Sequence, residues 1–299
     1  MNTQVTLLVN PTAGHGRAAR LLDGVCEQLR AGGLDVDVTQ GHDAEHSLEL
    51  ARSSVDRGTD ALVVLGGDGM CHLALQAVAG TTTPLGVIPA GTGNDLAATL
   101  GMPDDPLAAA RAVATAVCQG WTRAVDVATA AGRWWGGVLC AGFDSAVNER
   151  ANTMRWPAGP RRYDLAILAE LARLHTEMFT LTLDGQPLQV EATLVAVGNG
   201  PRYGGGLRIC PDARIDDGLL DVTVVGPVSR VELVRVKPRV RRGEHTTHPA
   251  VTVRRAREVT LAAPGVTAYA DGERLGTLSV TATCVPGALR VLAPAMPTD

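Results

Sequence analysis

The sequence predicts two domains in tandem, an α/β domain on a parallel sheet over residues 1–124 and a mostly antiparallel β-sandwich over residues 125–299. Three observations point there. Apolar runs of strand length alternate with helical-period segments as far as about Gly120, and three of the runs end in glycine-rich turns. Beyond Gly120 the segments shorten, become β-rich and are punctuated by turn pairs. A chain of 299 residues also has the length of two domains at ~100–200 residues each. The extreme C-terminus either stays with the second domain or returns to the first.

Each element has its own signal. Val5–Val9 is a short apolar strand ending in Asn10-Pro11. Between Gly16 and Arg30, Leu21, Leu22, Val25 and Leu29 recur at helical spacing, and Gly32-Gly33 stops the helix. Leu34–Val38 alternates as a strand. Asp43 to Asp56 reads as a helix, capped by Asp43 or Ser47. Ala61–Leu65 is continuously apolar, as a buried parallel strand is. A helix from about Cys71, a strand at Leu85–Ile88, and helices starting near Asn94 and Pro106 complete the domain. In the second domain, Phe179–Leu183 and Leu188–Val197 form a hairpin across Asp184-Gly185, and Tyr163 to Leu174 is its one clear helix. The tail Ala295–Asp299 is expected to fray.

Composition excludes several classes. Apolar residues at 45% argue for a packed core rather than disorder. Aromatics at 3% and a net charge of −4 argue against nucleic acid as a partner. No apolar run approaches the ~18 residues of a membrane span, and Met1–Gln4 lacks the basic region of a signal peptide. The six cysteines form no C-x-x-C pair and are expected to be buried free thiols. The expectation is a cytoplasmic protein that touches lipid only peripherally.

Three loops carry the chemistry: Asn10–Gly16, Gly66-Gly67-Asp68-Gly69, and Pro89–Asp95 with Gly91-Thr92-Gly93-Asn94 at its centre. All follow predicted parallel strands, so the fold gathers them on one edge. Glycines there let backbone N–H groups approach phosphate oxygens, aided by helix N-termini. None is a Walker A loop. Asp68, between two glycines, suits a Mg²⁺ bridged to phosphates, or an attacking hydroxyl held in line, or the cap of the following helix.

The order Asn-Pro-x-x-Gly, Gly-Gly-Asp-Gly, Gly-Thr-Gly-Asn-Asp, then Asp217-Gly218-Leu219-Leu220-Asp221 and Asp271-Gly272-Glu273 resembles the diacylglycerol kinase-type lipid kinases, with the sphingosine and ceramide kinases. The resemblance runs from Thr6 to about Val280. It implies a nucleotide-binding domain like that of phosphofructokinases and NAD kinases, a β-sandwich after it, and ATP- and Mg²⁺-dependent phosphorylation of a hydroxyl on a membrane lipid. Carried over, it assigns ATP contacts to Thr39, to Gly66, Gly67, Asp68, Gly69, Met70, Cys71 and His72, and to Thr92, with Asn10 shaping the first loop. Glu273 becomes the general base, with Asp68 orienting the reacting groups or the metal. Asp126 matches an Asp near the active-site metal. A structural Mg²⁺ maps to Asp217 with carbonyls of Arg214 and Leu219. The chain departs from the pattern at Met70, where a Thr is usual, and at His72-Leu73, where Asn-Glu is usual. A Met cannot donate a hydrogen bond to phosphate.

Other features weigh less. The seven histidines form no H-x-x-x-H or H-E-x-x-H array, and Gly142-Phe143-Asp144-Ser145 is not a nucleophile elbow. The run Arg235, Lys237, Arg239, Arg241, Arg242, with Arg254, Arg255 and Arg257, reads either as a solvated face or as attraction to an anionic lipid surface. Trp134-Trp135 reads as core. A soluble substrate such as NAD, or catalytic silence, are the competing functions, and a homodimer stays open.

Overall fold

A computed structural model describes residues 3–10, 13–154, 156 and 160–294; Pro11 and Thr12 of the first loop and the tail expected to fray lie outside the described residues. Contacts divide the chain into two compact units, one of Met1–Val127 with Val285–Asp299, the other of Ala128–Cys284.

Unit 1 runs β1 (Thr3–Val9), α1 (Ala13–Ala31), β2 (Leu34–Gln40), α2 (Ala44–Asp56), β3 (Ala61–Gly66), α3 (Asp68–Val78), β4 (Leu85–Pro89), α4 (Asp95–Thr99), α5 (Pro106–Cys118) and the start of β5 (Arg123–Ala130). Its strands lie parallel in the order β2-β1-β3-β4. Val291 and Leu292, from the end of the last strand, pair parallel with Leu85 and Gly86 of β4. Every residue of β3 and β4 is buried, which requires cover on both faces of the sheet. Helix α1 packs with α5 and α2 with α3 to supply it. Asp43 caps α2 through His46 N, and Asp105 caps α5 through Ala108 N, just before Pro106 in the first turn.

Two helices start earlier than the sequence predicts. The last residues of the first loop, from Ala13, are already the first turn of α1. Helix α3 begins at Asp68 rather than near Cys71, because Met70 N and Cys71 N both turn back to Gly67 O.

Unit 2 continues β5 into β6 (Arg133–Trp135), then β7 (Val138–Gly142), α6 (Phe143–Thr153), α7 (Pro160–Ala172), β8 (Glu177–Leu183), β9 (Gln186–Ala192), β10 (Leu194–Gly198), β11 (Leu220–Val225), α8 (Arg230–Arg242), β12 (Val251–Ala256), β13 (Glu258–Ala262), β14 (Thr267–Ala270), β15 (Glu273–Thr277) and β16 (Val280–Leu292). One antiparallel sheet has the order β12-β11-β10-β7-β14-β15. The other sets β9, β8 and β13 against the first residues of β16. Leu139, Val195, Val222 and Ala268 of the first sheet meet Phe179, Leu181, Val259 and Leu261 of the second in one buried core, a sandwich.

Three of its hairpins turn on two consecutive left-handed residues, Ala131-Gly132, Asp184-Gly185 and Asp271-Gly272, with φ between 47° and 84°. That geometry matches the twist of the paired strands. The strand expected over Leu188–Val197 is two strands. Thr193 breaks it, giving its hydroxyl to Gly226 O at 2.9 Å while β9 stays with β8 and β10 joins β7 and β11. Helices α6 and α8 were absent from the sequence-based expectation; α8 has a Ser229–Glu232 capping box and Pro238 inside it. Five cysteines are buried, and Cys118 is exposed. Among the described residues no helix is long and apolar enough to cross a membrane.

Candidate active site in two parts

In unit 1 parallel pairing brings the carboxyl ends of β1, β2 and β3 level: Leu8 lies beside Thr39, and Val9 beside both Gln40 and Leu65. Asn10, Thr39 and Gly66–Gly69 therefore share one edge of the sheet. The loop after β4 joins them, because Gly66 pairs with Pro89 and Ala90 N donates to Gly66 O at 2.8 Å. The two glycine loops touch backbone to backbone. A Cβ on Gly91 would lie 2.5 Å from Gly67 Cα, a distance that no side chain tolerates.

Asp68 locks this contact. Its Oδ1 accepts the N–H of Asp95 at 2.7 Å and its Oδ2 that of Asn94 at 2.9 Å. The carboxylate thus caps a helix, but α4 rather than its own α3. Asn94 is itself left-handed, with φ of 60°, and its side chain closes the loop by accepting from Gly91 N at 2.9 Å and donating to Gly91 O at 3.1 Å. Around this clamp, Gly69 is exposed with nothing within 4 Å of where a Cβ would stand, and Thr92 is exposed.

The neighbours in the motif behave differently. Met70, Cys71 and His72 are 6%, 2% and 9% exposed, so their side chains belong to the packing of α3 and do not offer themselves to a nucleotide. Starting the helix at Asp68 turns them inward. Asp126 is also buried, at 4% exposed, and its Oδ1 accepts Gly287 N at 2.8 Å. It holds the returning strand β16, a role that the sequence did not disclose.

In unit 2 Glu273 is the first residue of β15, exposed, directly after the Asp271-Gly272 turn. Asp271 ties that turn to the sheet by accepting Gly136 N and Gly137 N, each at 2.9 Å. Asn199 holds the same pair of glycines from the other side, donating to Gly136 O at 3.0 Å and Gly137 O at 2.9 Å. Beside Glu273, Arg274 Nε donates to Glu149 Oε2 at 3.1 Å, and Tyr269 donates its hydroxyl to the same oxygen at 2.8 Å. The Tyr269 hydroxyl, and then Arg274, hold the Glu149 carboxyl below the usual glutamate range. Nothing in the sequence marks Glu149 or Tyr269 for this place, whereas Asp271 belongs to the Asp-Gly-Glu motif.

Asp217 lies elsewhere. It precedes β11, four strands from β15 across the sheet, or about 19 Å at the usual strand spacing. Its Oδ1 accepts Leu219 N at 3.1 Å, and its Oδ2 receives the Arg255 guanidinium, whose Nε also donates to Asp221 Oδ1 at 2.9 Å. Arg214 pairs with Asp216. Arg255 already occupies the outer oxygen of Asp217, so a dication there would have to displace the guanidinium or be repelled by it at close range. The residues here do not fit the structural Mg²⁺ that the resemblance implied.

Known proteins resemble this chain along its length. Residues 4–130 match the diacylglycerol kinase catalytic domain, and residues 137–293 the YegS C-terminal NAD kinase beta sandwich-like domain. A diacylglycerol kinase of Mycobacterium tuberculosis is 44% identical over 298 residues, covering 97% of this chain and 95% of the relative. A Stenotrophomonas maltophilia protein named "Probable lipid kinase YegS-like" is 31% identical over 280 residues, covering 88% and 87%. The crystal structure of a diacylglycerol kinase from Bacillus anthracis superposes with a TM-score of 0.76 at 23% identity, over 99% of this chain and 98% of that one, and so shares the fold.

Proposed function

We propose, for a chain that belongs to the diacylglycerol kinase-type lipid kinases, that it moves the γ-phosphoryl group of ATP to the hydroxyl of a diacylglycerol-like membrane lipid. The observation that carries this reading is the Asp68 clamp, which welds two glycine loops into one surface at the ends of parallel strands. Such a surface offers backbone N–H groups and open space to phosphate oxygens. Thr39, Thr92 and Asn10 add polar side chains along the same edge, and the contribution of residues 70–72 is reduced to backbone.

Phosphoryl transfer asks little covalent work of a protein and much alignment. Glu273 takes the proton from the lipid hydroxyl as its oxygen attacks the γ-phosphorus and the bond from that phosphorus to the β–γ bridging oxygen breaks, releasing ADP, and the proton stays on the Glu273 carboxylate until product leaves. Asp271 and Asn199 keep the turn that carries Glu273 fixed, so that the carboxylate meets the hydroxyl in one orientation. Among the described residues no three His, Cys, Asp or Glu side chains gather into a metal cage. Asp68 still fits one carboxylate share of a Mg²⁺ whose remaining ligands are phosphates and water, since a carboxylate oxygen can serve more than one partner at once. When bound, Mg²⁺ supplies positive charge to the transferring phosphoryl group.

The test is direct. The protein is incubated with γ-labelled ATP, diacylglycerol in detergent micelles, and NAD in the same tube. Label in the organic phase, dependent on added Mg²⁺, is the expected result. Label confined to NAD would overturn the lipid reading, and no transfer to either would leave a silent binder.

A further inference from the structure

Helix α8 is unusual in this chain because none of its thirteen residues is buried. Its inner side, Leu233, Val236 and Val240, is half-buried, and Val240 packs on the cluster formed by Val138, Leu194 and Ile209. At 100° per residue, Val231, Val234 and Pro238 fall together on the opposite side. Both valines are 56% exposed, which leaves an apolar strip facing outward.

Charge flanks that strip on both sides. Arg235 and Arg242 lie along one border, and Arg230, Lys237 and Arg241 along the other. The helix holds six basic residues against Glu232 alone, in a protein whose net charge is −4. Arg242 pairs with Glu244, whereas Arg230, Lys237 and Arg241 make no ion pair among the described residues. A solvated helix has no use for outward valines, and a protein–protein hot spot would favour aromatic anchors over a ring of cations. An apolar strip bordered by long cationic side chains is the pattern of a helix lying in the plane of an anionic interface.

We propose that the outward face of α8 is the surface on which the protein rests against an anionic bilayer, the valines entering the boundary below the headgroups and the cations meeting lipid phosphates. This rests on the lipid-kinase reading for its purpose, though not for its evidence. Helix α7 also exposes Tyr163, Leu165 and Leu168, at 44%, 41% and 61%, but its two arginines are matched in number by Asp164 and Glu170, so the helix carries no net positive charge. It lacks the charge to find a bilayer.

The experiment is sedimentation with vesicles of equal phosphatidylglycerol and phosphatidylcholine, without ATP, beside activity on micellar diacylglycerol. The parent should bind, and binding should fall steeply with salt. Arg230→Gln/Lys237→Gln/Arg241→Gln should bind ~10²-fold more weakly, about fivefold per charge, with an unchanged melting temperature and micellar activity. Val231→Ser/Val234→Ser should weaken binding several-fold and leave the salt dependence as it was. A parent that ignores the vesicles, variants that bind as the parent does, or a loss that instead follows Leu168→Ser would each overturn the proposal. Vesicle binding that behaves as expected in a protein without micellar activity would sink the kinase reading and leave this one standing.

Discussion

The Asp68 carboxylate stands 2.7 Å from Asp95 N, so the loop after β3 caps the helix after β4. Two loops that are 26 residues apart in sequence therefore hold or fail as one. Asp68→Ala should abolish transfer and also lower the melting temperature by about 3–6 °C, since losing a cap costs ~1–2 kcal/mol. An inactive variant with an unmoved melting temperature would show that the clamp has no structural weight.

Gly91 and Gly69 should separate packing from binding. A methyl group on Gly91 would collide with Gly67 Cα, so Gly91→Ala should cost ~1–3 kcal/mol of stability and most of the activity. A methyl group on Gly69 enters open space, so Gly69→Ala should keep the parent's melting temperature while raising KM for ATP. If Gly69→Ala leaves KM alone, phosphate does not occupy that space.

Glu273 is exposed and contributes little to the core. Glu273→Gln should slow transfer by ~10²-fold or more with ATP affinity and melting temperature unchanged. Near-parental turnover would remove it as the base.

Arg255 bridges Asp217, 21% exposed, and Asp221, 3% exposed. The parent's melting temperature should be indifferent to Mg²⁺ when no nucleotide is present. Arg255→Ala leaves Asp221 buried beside Asp217 without its cation, at a cost of ~1–3 kcal/mol after allowing for the half-exposed guanidinium. Added Mg²⁺ should then restore part of the loss. A parent already stabilised by Mg²⁺ would return the ion to Asp217.

Glu149 sets a pH dependence. Its carboxyl titrates lower in the folded protein than in the unfolded chain. The stability it contributes is complete above the ordinary glutamate value of ~4.3 and is lost as pH falls through the lowered one. Melting curves between pH 6 and 3 should drop less steeply for Glu149→Gln than for the parent. Parallel acid limbs would mean that the Tyr269 and Arg274 contacts carry no stability.

The strands of unit 1 were legible because buried parallel strands are unbroken apolar runs, as Ala61–Leu65 is, and the glycine loops because they end those runs. The hairpin at Asp184-Gly185 was legible from its turn pair. Thr193 was not, since a corner between sheets leaves the alternation of side chains intact and shows only where the backbone hydrogen bonds go. Helix α8 escaped because its outward valines and dense cations blur the helical period, and Pro238 argues against a helix. In the site, the motif residues could be named from sequence, but not the direction of their side chains. Met70 and His72 point inward and Asp68 reaches sideways, and both depend on the helix starting at Asp68. Arg255 was hidden inside a run of cations. Nothing local to it announces a partner 38 residues away.

Unit 1 is assembled from both ends of the chain, with Val291 and Leu292 lying along β4. Unit 2 is one continuous stretch. On the ribosome the order of synthesis is therefore not the order of completion. The half made first must wait, its β4 edge open, while the half made second can close as soon as Cys284 has emerged. During that interval a buried-type apolar strand is exposed to any strand-seeking neighbour.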